Sequence, residues 1–229
     1  MSKATQTDIC AAEIGMAKAP SGLEEAVAFV MSLRSRGVRD LAVLGAMERV
    51  PRSFFAPRRF ADLAPRDIAL PLEYGQTMTA PSVVAAMLVA LELRPGDAVF
   101  EIGTGSGYVA GLLAQMGGSV TTVERHEPLA ASAADRLTAL AFGGSVRCEI
   151  GDGLAPVPDE RFARIIVNGA LPGVPPSLTE RLAPGGRLVL ALARDGFPRL
   201  ATVARDREGR LVESVGGPLR IGPIVAPDA

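Results

Sequence analysis

One segment constrains the fold more than any other: residues 98–108, which read AVFEIGTGSGY. Its apolar start predicts a buried strand, and Gly103, Gly105 and Gly107 predict a tight turn into a helix that begins near Ser106. Glycine permits positive φ and lets a ligand approach the backbone with no Cβ in the way. The first turn of the helix also presents unpaired N–H groups. The segment therefore predicts a site for a polar ligand at the end of a strand.

The spacing of these glycines distinguishes two kinds of ligand. The dinucleotide fingerprint G-x-G-x-x-G needs its third glycine where Tyr108 stands, so an NAD site is the weakest alternative. An acid, Glu101, precedes the turn, and the pattern acid-x-G-x-G-x-G resembles motif I of the class I S-adenosylmethionine (SAM) methyltransferases. The resemblance implies that Glu101 lies near the methionine end of SAM and that the glycine turn packs against the cofactor.

The chain beyond the glycine turn alternates between strand and helix patterns. Strands are predicted at 119–123, 146–150, 162–167 and 187–192, helices at 106–116, 128–140 and 177–182, and a hairpin within 200–225. This alternation predicts a Rossmann-like α/β fold with a mainly parallel, doubly wound sheet and an antiparallel edge at the C-terminus. Ligands in such sheets bind at the carboxyl ends of the strands.

A helical extension is predicted before the sheet. Apolar spacing indicates one helix over 23–33, and Asp40 is placed to cap a second helix that closes at Val50. We divide the chain into a flexible tail (1–21), a helical, substrate-proximal extension (22–92) and a cofactor-binding core (93–229), with the last two forming one compact unit.

Residues 50–81 contain five prolines and little periodicity, so they are predicted to form an irregular, functional loop. Pro81 is expected to start a helix that Thr79 caps. The aromatic side chains of the loop are expected to pack, and its arginines are expected to form a solvated face from which at least one is available to an anionic substrate. These residues are Phe54, Phe55 and Phe60, and Arg52, Arg58, Arg59 and Arg66.

Composition excludes several classes of function. The net charge of −1, without a dense basic cluster, argues against a nucleic-acid partner. One histidine, His126, excludes a His/Cys metal site, and a disulfide between Cys10 and Cys148 is not expected because they fall in a tail and a strand. No apolar run is long enough to span a membrane and no secretory signal is seen, so we expect a reduced, cytoplasmic enzyme without a metal.

Three acids stand at or just past the ends of three successive predicted strands: Glu101, Glu124 and Asp152. Parallel strands would place all three along one edge of the sheet. Glu124 is suited to the ribose hydroxyls of SAM, Asp152 to the adenine amino group, and Glu101 to the cationic amino acid moiety. His126 either borders the nucleoside or is an ordinary surface residue.

A second resemblance involves most of the chain. The segment LPLEYGQTMTAP at 70–81 is similar to the substrate-proximal motif of the protein-L-isoaspartate O-methyltransferase family. Further matching pieces follow in the family's order: ERVPRSFF, LRPGDAVFEIGTGSGY, GDG, LPGVPPSLTERLAPGGRLVLALA and PLRIGPIVA, the last resembling the family's closing strand. The resemblance covers roughly residues 40–226.

The resemblance implies methyl transfer from SAM to the α-carboxylate of an isoaspartyl residue in a damaged protein, with S-adenosylhomocysteine as the other product. The ester then collapses to a succinimide, which gives a route back to aspartate. The enzyme would act on isoaspartyl peptides or proteins as a monomer or weak dimer. Thr79 would orient the acceptor carboxylate. The implied cofactor-binding residues are Gln76, Thr77, Glu101, Gly103, Thr104, Gly105, Gly107, Tyr108, Glu124, Arg125, Asp152 and Gly153.

Four departures from the family's pattern stand near the predicted site. Thr79 stands where the family usually has Ser, Glu73 where it usually has Gly, and Ser53 where it frequently has His. Asn168 begins a stretch that in the family is small and alanine-rich. Glu73 would bring negative charge towards a site meant for an anion. Two alternatives therefore stay open: a methyltransferase that acts on a different carboxylate, and a SAM-binding protein without turnover.

Overall fold

The computed structural model of this protein describes residues 22–155 and 160–224. Its helices are α1 (Gly22–Ser35), α2 (Leu41–Arg49), α3 (Arg52–Phe55), α4 (Pro81–Leu91), α5 (Tyr108–Gln115), α6 (Glu127–Ala139) and α7 (Pro176–Glu180), with a 3₁₀ helix at Arg58–Leu63. Its strands are β1 (Leu70–Pro71), β2 (Thr77–Met78), β3 (Ala98–Ile102), β4 (Ser119–Glu124), β5 (Val146–Ile150), β6 (Phe162–Leu171), β7 (Leu182–Leu192), β8 (Arg199–Arg205) and β9 (Leu211–Pro218). The predicted tail, residues 1–21, and Cys10 lie outside the described residues.

A seven-stranded sheet forms the centre of the molecule, in the order β5-β4-β3-β6-β7-β8-β9. The first five strands run parallel, and β8 and β9 add an antiparallel edge. The predicted α/β fold, with its parallel sheet and C-terminal antiparallel hairpin, is therefore confirmed. Because β3, β4 and β5 are parallel neighbours, their carboxyl ends share one edge, as the sequence predicted.

The two faces of the sheet are buried in two apolar clusters. Alternation along β3 sends Val99 into a large cluster with α2, α4 and α5, and Phe100 into a smaller cluster with α7. In the smaller cluster Phe100 stacks on Phe162 with ring centroids 5.0 Å apart. The larger cluster also takes Val43, Leu44 and Met47 of α2, so the N-terminal helices pack directly over the sheet face that carries Glu101.

The N-terminal helices form for the reasons expected from the sequence. α2 is capped by Asp40, whose Oδ1 accepts a hydrogen bond from the Val43 N–H at 2.9 Å. α4 begins at Pro81, but its N-cap is Ala80 and no side chain caps it. The prediction that Thr79 caps this helix was wrong: proline at the first helical position needs no donor partner, so the helix starts without one.

The loop at 50–81 is more ordered than its prolines suggested. It contains α3, the 3₁₀ helix and the β1–β2 hairpin, whose turn at Tyr74 and Gly75 has positive φ at both residues, 56° and 68°. Phe55 is fully buried, Phe60 packs at the edge of the core, and Phe54, although 42% exposed, packs edge-on against Phe55 with ring centroids 5.8 Å apart, so the expectation that all three pack is confirmed.

Two strand boundaries also differ from the predictions. β6 continues through Asn168 and Gly169 to Leu171, although these two residues were expected to form a loop after it. A register irregularity between Ile166 and Ala170 absorbs them within the strand. PLRIGPIVA does not form a closing strand in the described part of the chain; Pro223 makes one isolated parallel bridge to Ala170. None of the described helices is long and apolar enough to cross a membrane.

Candidate active site

A cleft opens at the carboxyl ends of β3, β4 and β6, with an empty volume of about 650 Å³. Four parts of the chain wall it: the β1–β2 hairpin and the residues just after it, the glycine turn, the ends of β4 and β6, and the segment 221–224. The lining residues are Gln76, Thr77, Met78, Thr79, Val84, Gly103, Thr104, Gly105, Ser106, Tyr108, Val109, Glu124, Asn168, Ile221, Gly222, Pro223 and Ile224.

The glycine turn adopts the conformation that its sequence predicted. Gly103, Gly105 and Gly107 all have positive φ, at 86°, 54° and 88°. Gly107 is the N-cap of α5, so the helix starts at Tyr108, two residues later than expected. Two features of residue 107 disfavour any residue other than glycine. Its φ lies in the left-handed region, and a Cβ there would lie 3.1 Å from the Cβ of Ala133.

Glu124 ties the turn to the end of β4. Its Oε2 accepts a hydrogen bond from the Gly105 N–H at 2.9 Å, and its Oε1 accepts one from the His126 N–H at 3.0 Å. Each carboxylate oxygen keeps acceptor capacity beyond these bonds. Glu124 therefore shapes the glycine turn and at the same time presents an acid to the cleft.

Glu101 does not line the cleft itself. It is fully buried, and its Oε1 accepts a hydrogen bond of 2.6 Å from Nδ2 of Asn168, which does line the cleft. Burial raises the pKa of the Glu101 carboxyl to about 8; nearby Thr122 and Asn168 oppose the rise, and the charge of Glu124 adds to it. Its Oε2 is buried without a hydrogen-bond partner among the described residues.

The third acid, Asp152, follows β5 at the same edge of the sheet but is exposed and outside the cleft wall. Its Oδ1 accepts a hydrogen bond from the Leu154 N–H at 2.9 Å, which fixes the turn after β5. Gly107, Arg125 and Gly153 also stand outside the wall, while Gln76, Thr77, Thr79, Gly103, Thr104, Gly105, Tyr108 and Glu124 of the predicted site residues line it.

Tyr108 contributes little more than its ring to the cleft. It is 2% exposed, its ring centroid lies 5.7 Å from that of Phe55, and burial raises the pKa of its hydroxyl. That hydroxyl has no hydrogen-bond partner in the described residues. His126 stacks on Tyr74, with ring centroids 4.8 Å apart and an angle of 10° between the ring planes. The turn between β1 and β2 therefore packs against the start of α6.

Thr79 stands in the wall with its hydroxyl making no hydrogen bond to any described residue. Its backbone is held by Arg52, whose Nη2 donates to the carbonyls of Thr79 and Ile68 at 3.1 and 3.0 Å and whose Nη1 donates to that of Ala64 at 2.7 Å. Arg52 is only 4% exposed, and burial lowers its pKa to about 10. The prediction of a solvated arginine face was therefore wrong for Arg52, because the carbonyls of the irregular loop need a buried donor.

Glu73 does not face the cleft. It is exposed on the hairpin turn, and its charge acts on Arg136 of α6, whose pKa it tends to raise against the effect of burial. The repulsion expected between Glu73 and an anionic acceptor therefore has no basis in its position.

Sequence reasoning missed two parts of the site. The first is Asn168 as the hydrogen-bond partner of Glu101; its polar side chain directly after the apolar run Ile165–Val167 was the available signal. The second is the segment 221–224, which reaches the cleft because the Ala170 N–H donates to the Gly222 carbonyl at 2.8 Å and the Ile224 N–H donates to the Ala170 carbonyl at 2.9 Å. No local pattern marks these residues as a wall.

These features suit a sulfonium nucleoside. A fully buried carboxylate with an unpartnered oxygen accommodates a cationic ligand, since buried charges are normally paired. Beside it, the wall of the cleft contains the acid Glu124 and a turn of glycines that leaves the backbone open. The Rossmann-like sheet and this site define a class I methyltransferase that uses S-adenosylmethionine.

Comparison with known proteins narrows the class. The family described as Protein-L-isoaspartate(D-aspartate) O-methyltransferase matches residues 24–226. Protein-L-isoaspartate O-methyltransferase of Methylorubrum populi is 43% identical over 194 residues, which are 84% of this chain and 91% of that protein. Protein-L-isoaspartate O-methyltransferase 1 of Rhodopseudomonas palustris is 48% identical over 164 residues, 71% of this chain and 66% of that protein.

A solved structure shares the fold. The structure of a putative protein-L-isoaspartate O-methyltransferase from Plasmodium falciparum, in complex with S-adenosyl-L-homocysteine, superposes with a TM-score of 0.76 at 20% identity and covers 85% of this chain and 95% of that one. The chain belongs to the protein-L-isoaspartate O-methyltransferase family.

Proposed function

We propose that this protein transfers the methyl group of S-adenosylmethionine to the α-carboxylate of L-isoaspartyl residues in damaged proteins. The single observation that carries the proposal is Thr79, whose unpartnered hydroxyl stands in the wall of the same cleft as the glycine turn and Glu124. Family membership across residues 24–226 supports the same acceptor.

The residues that would hold the cofactor are those of the glycine turn and Glu124, with Gln76 and Thr77 also in the wall and Glu101 buried behind it. When bound, the cofactor supplies a methyl group on a positively charged sulfur. Glu124 offers acceptor capacity to ribose hydroxyls, and the buried Glu101 would balance the charge of an ammonium group by releasing its proton when that group binds. Asp152, exposed at the same edge, is the proposed partner of the adenine, and Arg125 and Gly153 flank that side.

The acceptor needs little acid–base assistance from the protein. A carboxylate is ionised at neutral pH, so no general base has to remove a proton from it. The work of the protein is to hold the acceptor oxygen in line and to keep water out. Thr79 donates a hydrogen bond to one carboxylate oxygen and leaves the other to react. Arg52 keeps Thr79 in place through its backbone carbonyl.

The test compares two peptides of identical sequence, one with an isoaspartyl and one with an aspartyl residue. With SAM carrying a labelled methyl group, we expect base-labile label on the isoaspartyl peptide only. Label on neither peptide, from a protein that binds SAM, would refute the proposal and leave a different carboxylate or a protein without turnover. The monomeric or weakly dimeric state and the cytoplasmic location stay predictions of the same proposal.

Thr79→Val provides the matched variant, because valine keeps the branched shape and loses the hydroxyl. A hydrogen bond to a charged group contributes about 1.5–3 kcal/mol, so kcat/KM should fall roughly 10- to 100-fold. Thr79→Ser, which keeps the hydroxyl, should stay within a few-fold of wild type. Equal losses in the two variants would show that the hydroxyl does not act on the acceptor.

A further inference from the structure

Glu101 is a buried acid without a cation of its own. It is 0% exposed, and the groups of the described chain that act on its pKa are the hydroxyl of Thr122, the amide of Asn168 and the carboxylate of Glu124, none of which is positive. Burial, and secondly the nearby charge of Glu101, raise the pKa of Cys148 on β5 to about 11. Burying a carboxylate without a cation strongly favours its protonated form.

Asn168 donates a short hydrogen bond to this acid. Its Nδ2 donates to Glu101 Oε1 at 2.6 Å and to the Gly103 carbonyl at 3.1 Å, which uses both amide hydrogens. The amide thereby links the carboxylate to the first residue of the glycine turn. β6 pairs in parallel with β3, and Ile166 lies opposite Glu101. Side chains two residues apart on a strand point to the same face, so Asn168 lies on the sheet face of Ile166 and Glu101, two residues further along β6.

We propose that Asn168 is a positioning residue for the cofactor: it fixes the Glu101 carboxyl behind the cleft wall and favours its charged form when the ammonium of the amino acid moiety of SAM binds there. The inference rests on the proposed function, since it concerns the same cleft. Asn168 acts through Glu101, and its removal therefore weakens only those ligands that carry the ammonium.

The test measures binding by calorimetry for two ligands that differ in this group. S-Adenosylhomocysteine carries the amino acid moiety, whereas 5′-methylthioadenosine has the same nucleoside and sulfur without it. Asn168→Ala should weaken S-adenosylhomocysteine about tenfold or more, as expected for the loss of a hydrogen bond to a charged group, and leave methylthioadenosine within about twofold.

A double variant tests whether the effect runs through the acid. In a Glu101→Gln background, Asn168→Ala should change the affinity for S-adenosylhomocysteine by no more than about twofold. A further readout needs no ligand: NMR titration of the Glu101 carboxyl should give a higher pKa in Asn168→Ala than in the wild type.

Each outcome decides the matter. If Asn168→Ala weakened the binding of both ligands equally, Asn168 would have a purely structural role and the inference would be overturned. Unchanged binding of both ligands would overturn it too. An unshifted Glu101 titration would overturn it as well. If the wild type bound no S-adenosylhomocysteine at all, the proposed function would fall and the inference with it. If the wild type bound S-adenosylhomocysteine and methylated the isoaspartyl peptide, and Asn168→Ala bound both ligands as tightly as the wild type, only the inference about Asn168 would be refuted.

Discussion

Arg52 holds the irregular loop that carries Thr79, and replacing it by methionine should unfold that loop first. The side chain donates to three loop carbonyls at 2.7, 3.0 and 3.1 Å, and a fourth contact, to the Met78 carbonyl at 3.5 Å, is too long to contribute much. Methionine fills a similar volume but donates no hydrogen bond. Arg52→Met therefore leaves three acceptors in a largely buried place without their donor.

The magnitude follows from two opposing effects. Each buried acceptor left without a partner costs about 1–3 kcal/mol, which would sum to about 3–9 kcal/mol. Part of this loss is recovered because the variant no longer buries a guanidinium, whose pKa is lowered to about 10 by that burial. The carbonyls also relax towards water once the loop moves. We expect a net loss of about 2–4 kcal/mol, or roughly 5–15 °C in Tm for a chain of this size.

Thermal and urea unfolding, followed by circular dichroism, measure the effect. Arg58→Met is the matched control, since Arg58 belongs to the same loop but its side chain is exposed and donates to none of the loop carbonyls that Arg52 holds. The control should remain within about 1 °C of wild type. Arg52→Lys should fall well below wild type, because a point charge cannot reproduce the geometry of the guanidinium. A Tm for Arg52→Met equal to that of the control would refute the reasoning.

Two further perturbations address the cleft wall and the buried acid. In Gly169→Ala the new Cβ would lie 2.7 Å from Cδ1 and Cγ1 of Ile224, so the segment 221–224 should move away from β6. We expect urea unfolding to show a loss of about 1–3 kcal/mol in stability, and calorimetry to show weaker SAM binding. Unchanged SAM binding would count against this segment as part of the cleft wall. Burial raises the folded-state pKa of Glu101 from 4.5 to about 8, so the free energy of unfolding should fall as pH rises from about 4.5 towards 8. Glu101→Gln should make the free energy of unfolding less dependent on pH in this range. The same pH dependence in both proteins would contradict the shift.

The sequence alone determined the fold and the centre of the site. Three glycines at alternate positions fix a turn that few other residues could form, and the strand before it is apolar at every position except Glu101. Strand and helix periods in the rest of the chain then predict a parallel sheet whose carboxyl ends meet at one edge. This is local information: each step depends on side chains within a few residues of one another.

The tertiary structure decided what the acids and the polar loop residues do. Whether Arg52 faces water or the carbonyls of its own loop depends on contacts with residues up to Thr79, which no local pattern encodes. Glu101 and Asn168 meet only because β3 pairs with β6, 67 positions further along the chain. The segment 221–224 is tied to the cleft by hydrogen bonds to Ala170, and the absence of a side chain at Gly169 leaves room for it. Periodicity specifies which face of an element is buried, but partners that lie far apart in sequence are chosen by packing.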